Sequence, residues 1–207
     1  MKRGVIFDKQ ELFPSKVICV GRNYKEHIEE LKNETPSSMV LFLKPNSSIS
    51  RELYCISEDC HYECEISFLI RGGKIVAAAL GFDLTKRELQ SALKNKGLPW
   101  ERAKAFDNAA VFGEFVAVHE ADTLNFELFI NGKLKQKGFT EDMIYKPLEI
   151  LEEIGSFMSL IDDDIVMSGT PSGVGQYKEN DIFHAKLFQV DKLIKEYTWI
   201  SKKSDKA

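Results

Sequence analysis

Glu63 and Glu65 stand two residues apart at the head of an apolar run that continues Ile66, Ser67, Phe68, Leu69, Ile70. In an extended strand side chains alternate, so Glu63, Glu65, Ser67 and Leu69 share one face. Tyr62, Cys64, Ile66, Phe68 and Ile70 share the other, which reads as core. In an arbitrary strand, two such glutamates are the solvated face of a half-buried sheet. A third carboxylate brought beside them would turn the pair into a cation site, and Asp83 is the candidate. Arg71-Gly72-Gly73-Lys74 signals a hairpin, and the returning run from Ile75 to Phe82 ends at Asp83. Strict pairing through a two-residue turn sets Glu63 against Phe82 and leaves Asp83 on the wrong face. A three-residue loop with a bulge sets Glu63 directly against Asp83. Three hard oxygen donors, with no His or Cys required, favour Mg2+ or Mn2+ over Ca2+ and disfavour zinc.

Other groups have spacings that could do chemistry. His27 and Glu30 are three apart in a polar segment of helical character, which makes them surface neighbours. The pair is a general-base dyad if the carboxylate orients the imidazole, and otherwise an ordinary surface ion pair. Arg87 and Gln90 are spaced the same way on the helix that follows Asp83, where solvated side chains are the plain alternative. Lys104 sits among apolar neighbours, where a lysine needs an anionic partner. The loop from Gly169 to Gly175 follows a strand, as phosphate loops do, but lacks their Lys-Ser/Thr pair and a following helix. It reads better as a backbone nest whose N–H groups, with the Thr170 hydroxyl, hold a carboxylate.

The elements that must position these groups are mostly strands. Residues 4–7, 16–20, 39–44, 62–70, 75–82, 111–118, 165–168, 182–190 and 193–200 read as strands. Residues 124–130 and 133–136 form a hairpin through Asn131-Gly132, a type I′ turn signal. A helix over 84–97 has Thr85 and Glu88 spaced as a capping box and Gly97 as its C-terminal cap, with Leu89, Ala92 and Leu93 facing the core. Pro147 opens another, whose stripe Leu148, Leu151, Ile154 and Met158 is core. Residues 33–38 are a turn-rich loop, residues 98–107 are irregular, and residues 201–207 read as a frayed tail.

With 207 residues, 43% of them hydrophobic, the chain is expected to form one domain that buries on the order of 70% of its unfolded surface. A net charge of −4 gives no global attraction to nucleic acid or to an anionic membrane. No apolar run reaches the roughly 20 residues of a membrane helix, and the opening residues lack a signal-peptide core, so a cytoplasmic location is expected. Cys19, Cys55, Cys60 and Cys64 lack the paired spacing of a zinc site and read as reduced structural thiols.

Taken together, several segments resemble the fumarylacetoacetate hydrolase family. They are Cys19 to Tyr24 with His27 and Glu30, Phe42 to Pro45, Glu63-Cys64-Glu65, Asp83 to Arg87, Lys96 to Trp100 with Lys104 and Phe106, and Gly169 to Gly175. They run in the family's order across residues 16–190, and the chain is most similar to short single-domain members that act on acylpyruvates, oxaloacetate or hydroxy-dienedioates. The resemblance implies an α+β, strand-rich fold, a mixed β-sandwich roll with a few short helices, in a homodimer. It implies that Glu63, Glu65 and Asp83 hold Mg2+ or Mn2+, and that His27 and Glu30 activate water from a lid. It further implies that Lys104 supplies positive charge, and that Arg87, Gln90, Thr170 and the Gly169 loop contact a small 2-oxo acid. The activity implied first is hydrolysis of a carbon–carbon bond in an acylpyruvate-like substrate. Isomerase, hydratase or oxaloacetate decarboxylase chemistry on the same scaffold is the alternative, and a non-catalytic metabolite-binding protein comes last. The segment between Glu65 and Asp83 is shorter than in most relatives, which suggests an open pocket wall or one supplied by a partner subunit.

Overall fold

A computed structural model of the chain describes residues 2–31, 34 and 36–204. Part of the loop expected at 33–38, and residues 205–207 of the expected tail, lie outside the described residues. The chain forms an eight-stranded mixed sheet and a four-stranded antiparallel sheet, with smaller two- and three-stranded pairings around them. The large sheet runs in the order Val40–Pro45, Lys16–Gly21, Ile165–Met167, Cys64–Arg71, Lys74–Asp83, Ala110–Phe112, Ile49–Ser50, with Val116–Ala117 also pairing to Lys74–Asp83. The expected strand over 111–118 is therefore two strands. Lys133–Phe139, Leu124–Ile130, Ile182–Gln189 and Lys192–Ile200 make the smaller sheet. Its first hairpin turns at Asn131 and Gly132, both at positive φ as a type I′ turn requires.

The core lies between the two sheets and is aromatic. Phe82 of the large sheet meets Phe183 at 5.3 Å and Trp199 at 5.0 Å, and Tyr62 meets Phe183 at 5.5 Å. Cys64 pairs with Phe82, so the Cys64, Ile66, Phe68 face is the one turned to this core. The opposite face is not solvated as an arbitrary strand's would be: Glu65, Ser67 and Leu69 are buried as well.

The hairpin at Arg71–Lys74 decides where Asp83 goes. Gly72 and Gly73 have φ of +55° and +71°, a two-residue turn that glycine adopts without steric cost. Arg71 pairs with Lys74 and Ile70 with Ile75, but Leu69 pairs with Ala77, which leaves Val76 bulged out of the ladder. The bulge shifts every later pair by one residue. Cys64 thus falls opposite Phe82, and Asp83 donates its backbone N–H to the Glu63 carbonyl at 2.9 Å. The expected alternatives were a two-residue turn or a bulged three-residue loop. The chain combines the tight turn with a bulge inside the strand.

Five further expectations are corrected. The helix after Asp83 spans Arg87–Asn95 with Lys86 as an N-cap that makes no side-chain bond, so Thr85 and Glu88 form no capping box. Gln90 and Leu93 are its buried residues while Ala92 is exposed, because the helix lies over a polar site. In the helix Pro147–Phe157 the inward residues are Pro147, Ile150 and Ile154, and Leu148 is 61% exposed. Lys202 and Lys203 pair in parallel with Tyr54 and Cys55, so this part of the tail is not frayed. Lys104 closes a short helix, Glu101–Lys104, within the stretch expected to be irregular. All four cysteines are free. Among the described residues, no helix is long and apolar enough to cross a membrane.

Candidate active site

The register of the central hairpin brings Glu63, Glu65 and Asp83 together, with ligand atoms all within 4.8 Å of one another and the residues no more than 5% exposed. Three carboxylates at that depth need compensating charge. Lys104 supplies it: its Nζ donates to Glu63 Oε2 at 2.9 Å, Asp83 Oδ2 at 2.6 Å and Thr85 Oγ1 at 2.6 Å. Arg87 binds Glu63 through one guanidinium nitrogen and donates through another to Gln90 Oε1 at 2.9 Å. Burial pushes Glu63 upward, but Lys104 and Arg87 outweigh it and hold this carboxyl well below its usual range. Glu65 goes the other way, raised well above it by burial and then by the charges of Asp83 and Glu63. Burial alone would lower Lys104, yet Asp83 and Glu63 leave its ammonium more firmly protonated than a free lysine.

The donor set fits a hard divalent cation. All three donors are carboxylates, they converge, and the raised Glu65 reports excess negative charge that such an ion would relieve. The residues that would hold it are Glu63, Glu65 and Asp83.

Two glycine-loop contacts fix this arrangement. Gly169 donates its N–H to Glu65 Oε2 at 2.8 Å. It does so at φ +97°, and a Cβ there would stand 2.8 Å from Cβ of Asn23, so only glycine fits. Gly173 donates to Glu30 Oε1 at 3.0 Å. The nest expected in this loop therefore gives these two N–H groups to the protein's own carboxylates. The Thr170 hydroxyl is similarly engaged, donating to the Cys64 carbonyl at 2.8 Å and accepting from Gln136 Nε2 at 2.8 Å.

His27 and Glu30 lie on the helix Lys25–Glu30, with His27 Nδ1 at 3.2 Å from Glu30 Oε2. His27 is buried and lines the same small cavity, about 30 Å³, as the three carboxylates, Arg87, Gln90, Lys104 and Thr170. This is more than a surface ion pair. Burial holds the imidazole below its ordinary pKa, against the pull of Glu63 and Glu30, so the ring is neutral at pH 7. With Nδ1–H given to Glu30, Nε2 keeps a free lone pair. The helix is tied across the site by Glu30 to Gly173 and by Ser172 Oγ to Glu26 Oε2 at 3.2 Å.

Sequence reasoning missed three supporting residues. Lys44 is fully buried: its Nζ pairs with Asp83 Oδ1 at 2.7 Å and donates to the carbonyls of Ala109 at 3.0 Å, Leu84 and Lys104. A lysine inside an apolar strand run was the available signal. Gln136, 1% exposed, joins the small sheet to the site by accepting from Cys64 N–H and donating to Thr170. Nothing in its local sequence marks it. Lys94 lines the cavity from a helix position that reads as solvated. The tip of the short hairpin is at the far end of the strands from Glu63 and Asp83. Arg87, Gln90, Lys94 and Trp100 are among the residues that line the cavity.

The comparisons with known proteins agree with this geometry. The sequence model of the fumarylacetoacetate (FAA) hydrolase C-terminal family matches residues 16–196. The chain is 36% identical over 187 residues to oxaloacetate tautomerase YcgM of Escherichia coli K12, covering 81% of this chain and 85% of that protein. It is 34% identical over 195 residues to the mitochondrial oxaloacetate tautomerase FAHD1 of Bos taurus, covering 84% and 87%. A crystal structure of a candidate fumarylacetoacetate isomerase/hydrolase from Oleispira antarctica superposes with a TM-score of 0.90 at 34% identity, over 96% of this chain and 99% of that one. These relatives favour the isomerase or decarboxylase alternative over the hydrolysis placed first from sequence. A strand-rich roll, three converging carboxylates and a lysine-braced acidic strand, matched along residues 16–196, make this chain a member of the fumarylacetoacetate hydrolase family.

Proposed function

We propose that the protein is a keto–enol tautomerase acting on oxaloacetate or a closely similar small 2-oxo acid. The observation that carries the reading is His27, a buried, neutral imidazole oriented by Glu30 and lining one small cavity with the three carboxylates. Tautomerisation needs one base that removes a proton from the carbon next to the keto group and returns it to the oxygen. As the C–H bond breaks, His27 Nε2 takes the proton and the electron pair moves toward the keto oxygen. Protonation of that oxygen by the imidazolium completes the enol and restores the neutral ring. Mg2+ or Mn2+, held by Glu63, Glu65 and Asp83, would supply a Lewis acid that stabilises the enolate. Lys104 stays protonated and adds fixed positive charge, while Arg87 and Gln90 line the cavity where the substrate's oxygens would lie. The two oxaloacetate tautomerases that resemble the chain over more than four-fifths of its length support the choice of substrate.

A second reading keeps one specific observation on its side. The 3.2 Å His27–Glu30 contact is also what water activation for acylpyruvate hydrolysis needs. One experiment separates the two: enol absorbance of oxaloacetate, pyruvate release and acetylpyruvate loss are followed in parallel with Mg2+. Accelerated enol–keto equilibration without pyruvate release supports the proposal. Pyruvate release would reassign the protein as a decarboxylase, and acetylpyruvate loss without faster equilibration would make it a hydrolase.

A further inference from the structure

The cavity is electrostatically lopsided. Its acidic residues, Glu63, Glu65 and Asp83, lie together, and Lys104, Arg87 and Lys44 are engaged there with Glu63 and Asp83. Arg22 and Lys94 also line it, beside Trp100 and Phe42, and no other acidic side chain does so among the described residues. The Lys94 ammonium stands 4.8 Å from the Trp100 ring centroid, and among the described residues no hydrogen bond or ion pair reaches its Nζ. Burial first, then the charges of Arg22, Lys104 and Arg87, pull this amine down to about 8, the mark of a cation short of an anion. Among the described residues, Arg22 Nε is buried without a hydrogen-bond partner, and the one hydrogen bond of the Arg22 guanidinium runs from NH1 to the Glu34 carbonyl at 3.2 Å. Arg22 also holds φ +58°, a left-handed conformation that residues with a Cβ adopt rarely and at a cost. Two incompletely partnered cations in a partly desolvated pocket, one on a strained backbone, suit an anion that arrives with the ligand.

We propose that Arg22 and Lys94 form a second anion subsite that reads a carboxylate at the far end of the substrate. The subsite selects 2-oxo dicarboxylates over 2-oxo acids with neutral tails. The inference rests on the 2-oxo acid reading above, and adds to it the residues that distinguish one tail from another. Trp100 would close the subsite on its apolar side, its face already turned to the Lys94 ammonium.

The test compares oxaloacetate with 2-oxobutanoate, which has the same number of carbons and a methyl group in place of the far carboxylate. Binding in the presence of Mg2+ is read by stopped-flow tryptophan fluorescence, Trp100 being in the cavity wall, on wild type, Lys94→Met, Lys94→Arg and Arg22→Gln. The expected result is tighter binding of oxaloacetate by wild type. Lys94→Met and Arg22→Gln should each weaken oxaloacetate by roughly ten- to a hundredfold, the worth of a charged hydrogen bond, with 2-oxobutanoate unchanged. Lys94→Arg should recover most of the loss, which a role in packing against Trp100 alone would not require. Equal weakening of both ligands, or no weakening of oxaloacetate, overturns the subsite. If wild type binds neither ligand with Mg2+, the 2-oxo acid reading itself falls and takes the subsite with it.

Discussion

Replacing Lys44 by Met tests whether the site's internal charge balance holds the fold as well as the chemistry. Lys44 is 0% exposed, and its ammonium bridges Asp83 Oδ1 at 2.7 Å to the carbonyls of Ala109, Leu84 and Lys104. Methionine keeps the stem but removes the cation beside the buried Asp83 Oδ1 and the Nζ donor to three carbonyls, of which Ala109 keeps the Leu84 N–H. Breaking one side of a buried ion pair costs about 3–5 kcal/mol, a large part of the 5–15 kcal/mol that holds a typical domain together. At about 2–4 °C per kcal/mol for a chain of this size, the midpoint of thermal unfolding should fall by roughly 6–20 °C. Circular dichroism melts at pH 7 in chelator measure it without contribution from metal binding. The double variant Lys44→Met/Asp83→Asn should recover part of the loss, since the carboxylate left with Lys104 as its one remaining cation is gone. A single variant that melts within a degree or two of wild type would refute the reasoning, and would mean that the bridge only breaks even against its desolvation.

Three further outcomes are expected. His27→Asn should lower kcat for oxaloacetate tautomerisation by about 10²–10⁴ with little change in KM, and unchanged kcat would remove the imidazole from the reaction. Because burial depresses the His27 pKa, the base form is present above that depressed value and lost as pH falls through it. The acid limb of kcat/KM should therefore lie below 6.5, and a limb above it would contradict the assignment. Gly169→Ala places a Cβ 2.8 Å from Cβ of Asn23 at φ +97°, costing about 1–3 kcal/mol and drawing the N–H away from Glu65. Calorimetric titration with Mn2+ should show weaker binding, and an unchanged affinity would mean that this hydrogen bond does not position the ligand.

Much of the site could be read from residue order alone, because the chemistry sits on short, local patterns. The two-residue spacing of Glu63 and Glu65 sets their common face, and the three-residue spacing of His27 and Glu30 sets their contact. Asp83 was only half legible. A bulge is a property of two paired strands, and Val76 carries no local signal that it will be the unpaired residue. Gln136 was illegible for a related reason, since its partners are 34 to 72 residues away; Lys44, inside an apolar strand run, signalled a buried charge but not its partners, 39 to 65 residues away. The inward face of the helix Arg87–Asn95 was misread because apolar residues were taken to mark the inside. Here the inside is a polar cavity, and Gln90 points to it.

The bulge at Val76 also sets a rule for how the hairpin can change length. It acts as a half-period phase shift between two wave trains of side chains, and Asp83 is in phase with Glu63 only after that shift. Adding or removing one paired residue on a single strand would put the two carboxylates on opposite faces. Growth by a matched pair, one residue on each strand, leaves the phase intact. A single insertion at the Gly72-Gly73 tip keeps the register if the turn itself lengthens, and otherwise only if the bulge is lost at the same time. A turn seven residues from the nearest metal-ligand position is therefore tied to the chemistry by parity rather than by contact, and its length can drift only in steps that preserve it.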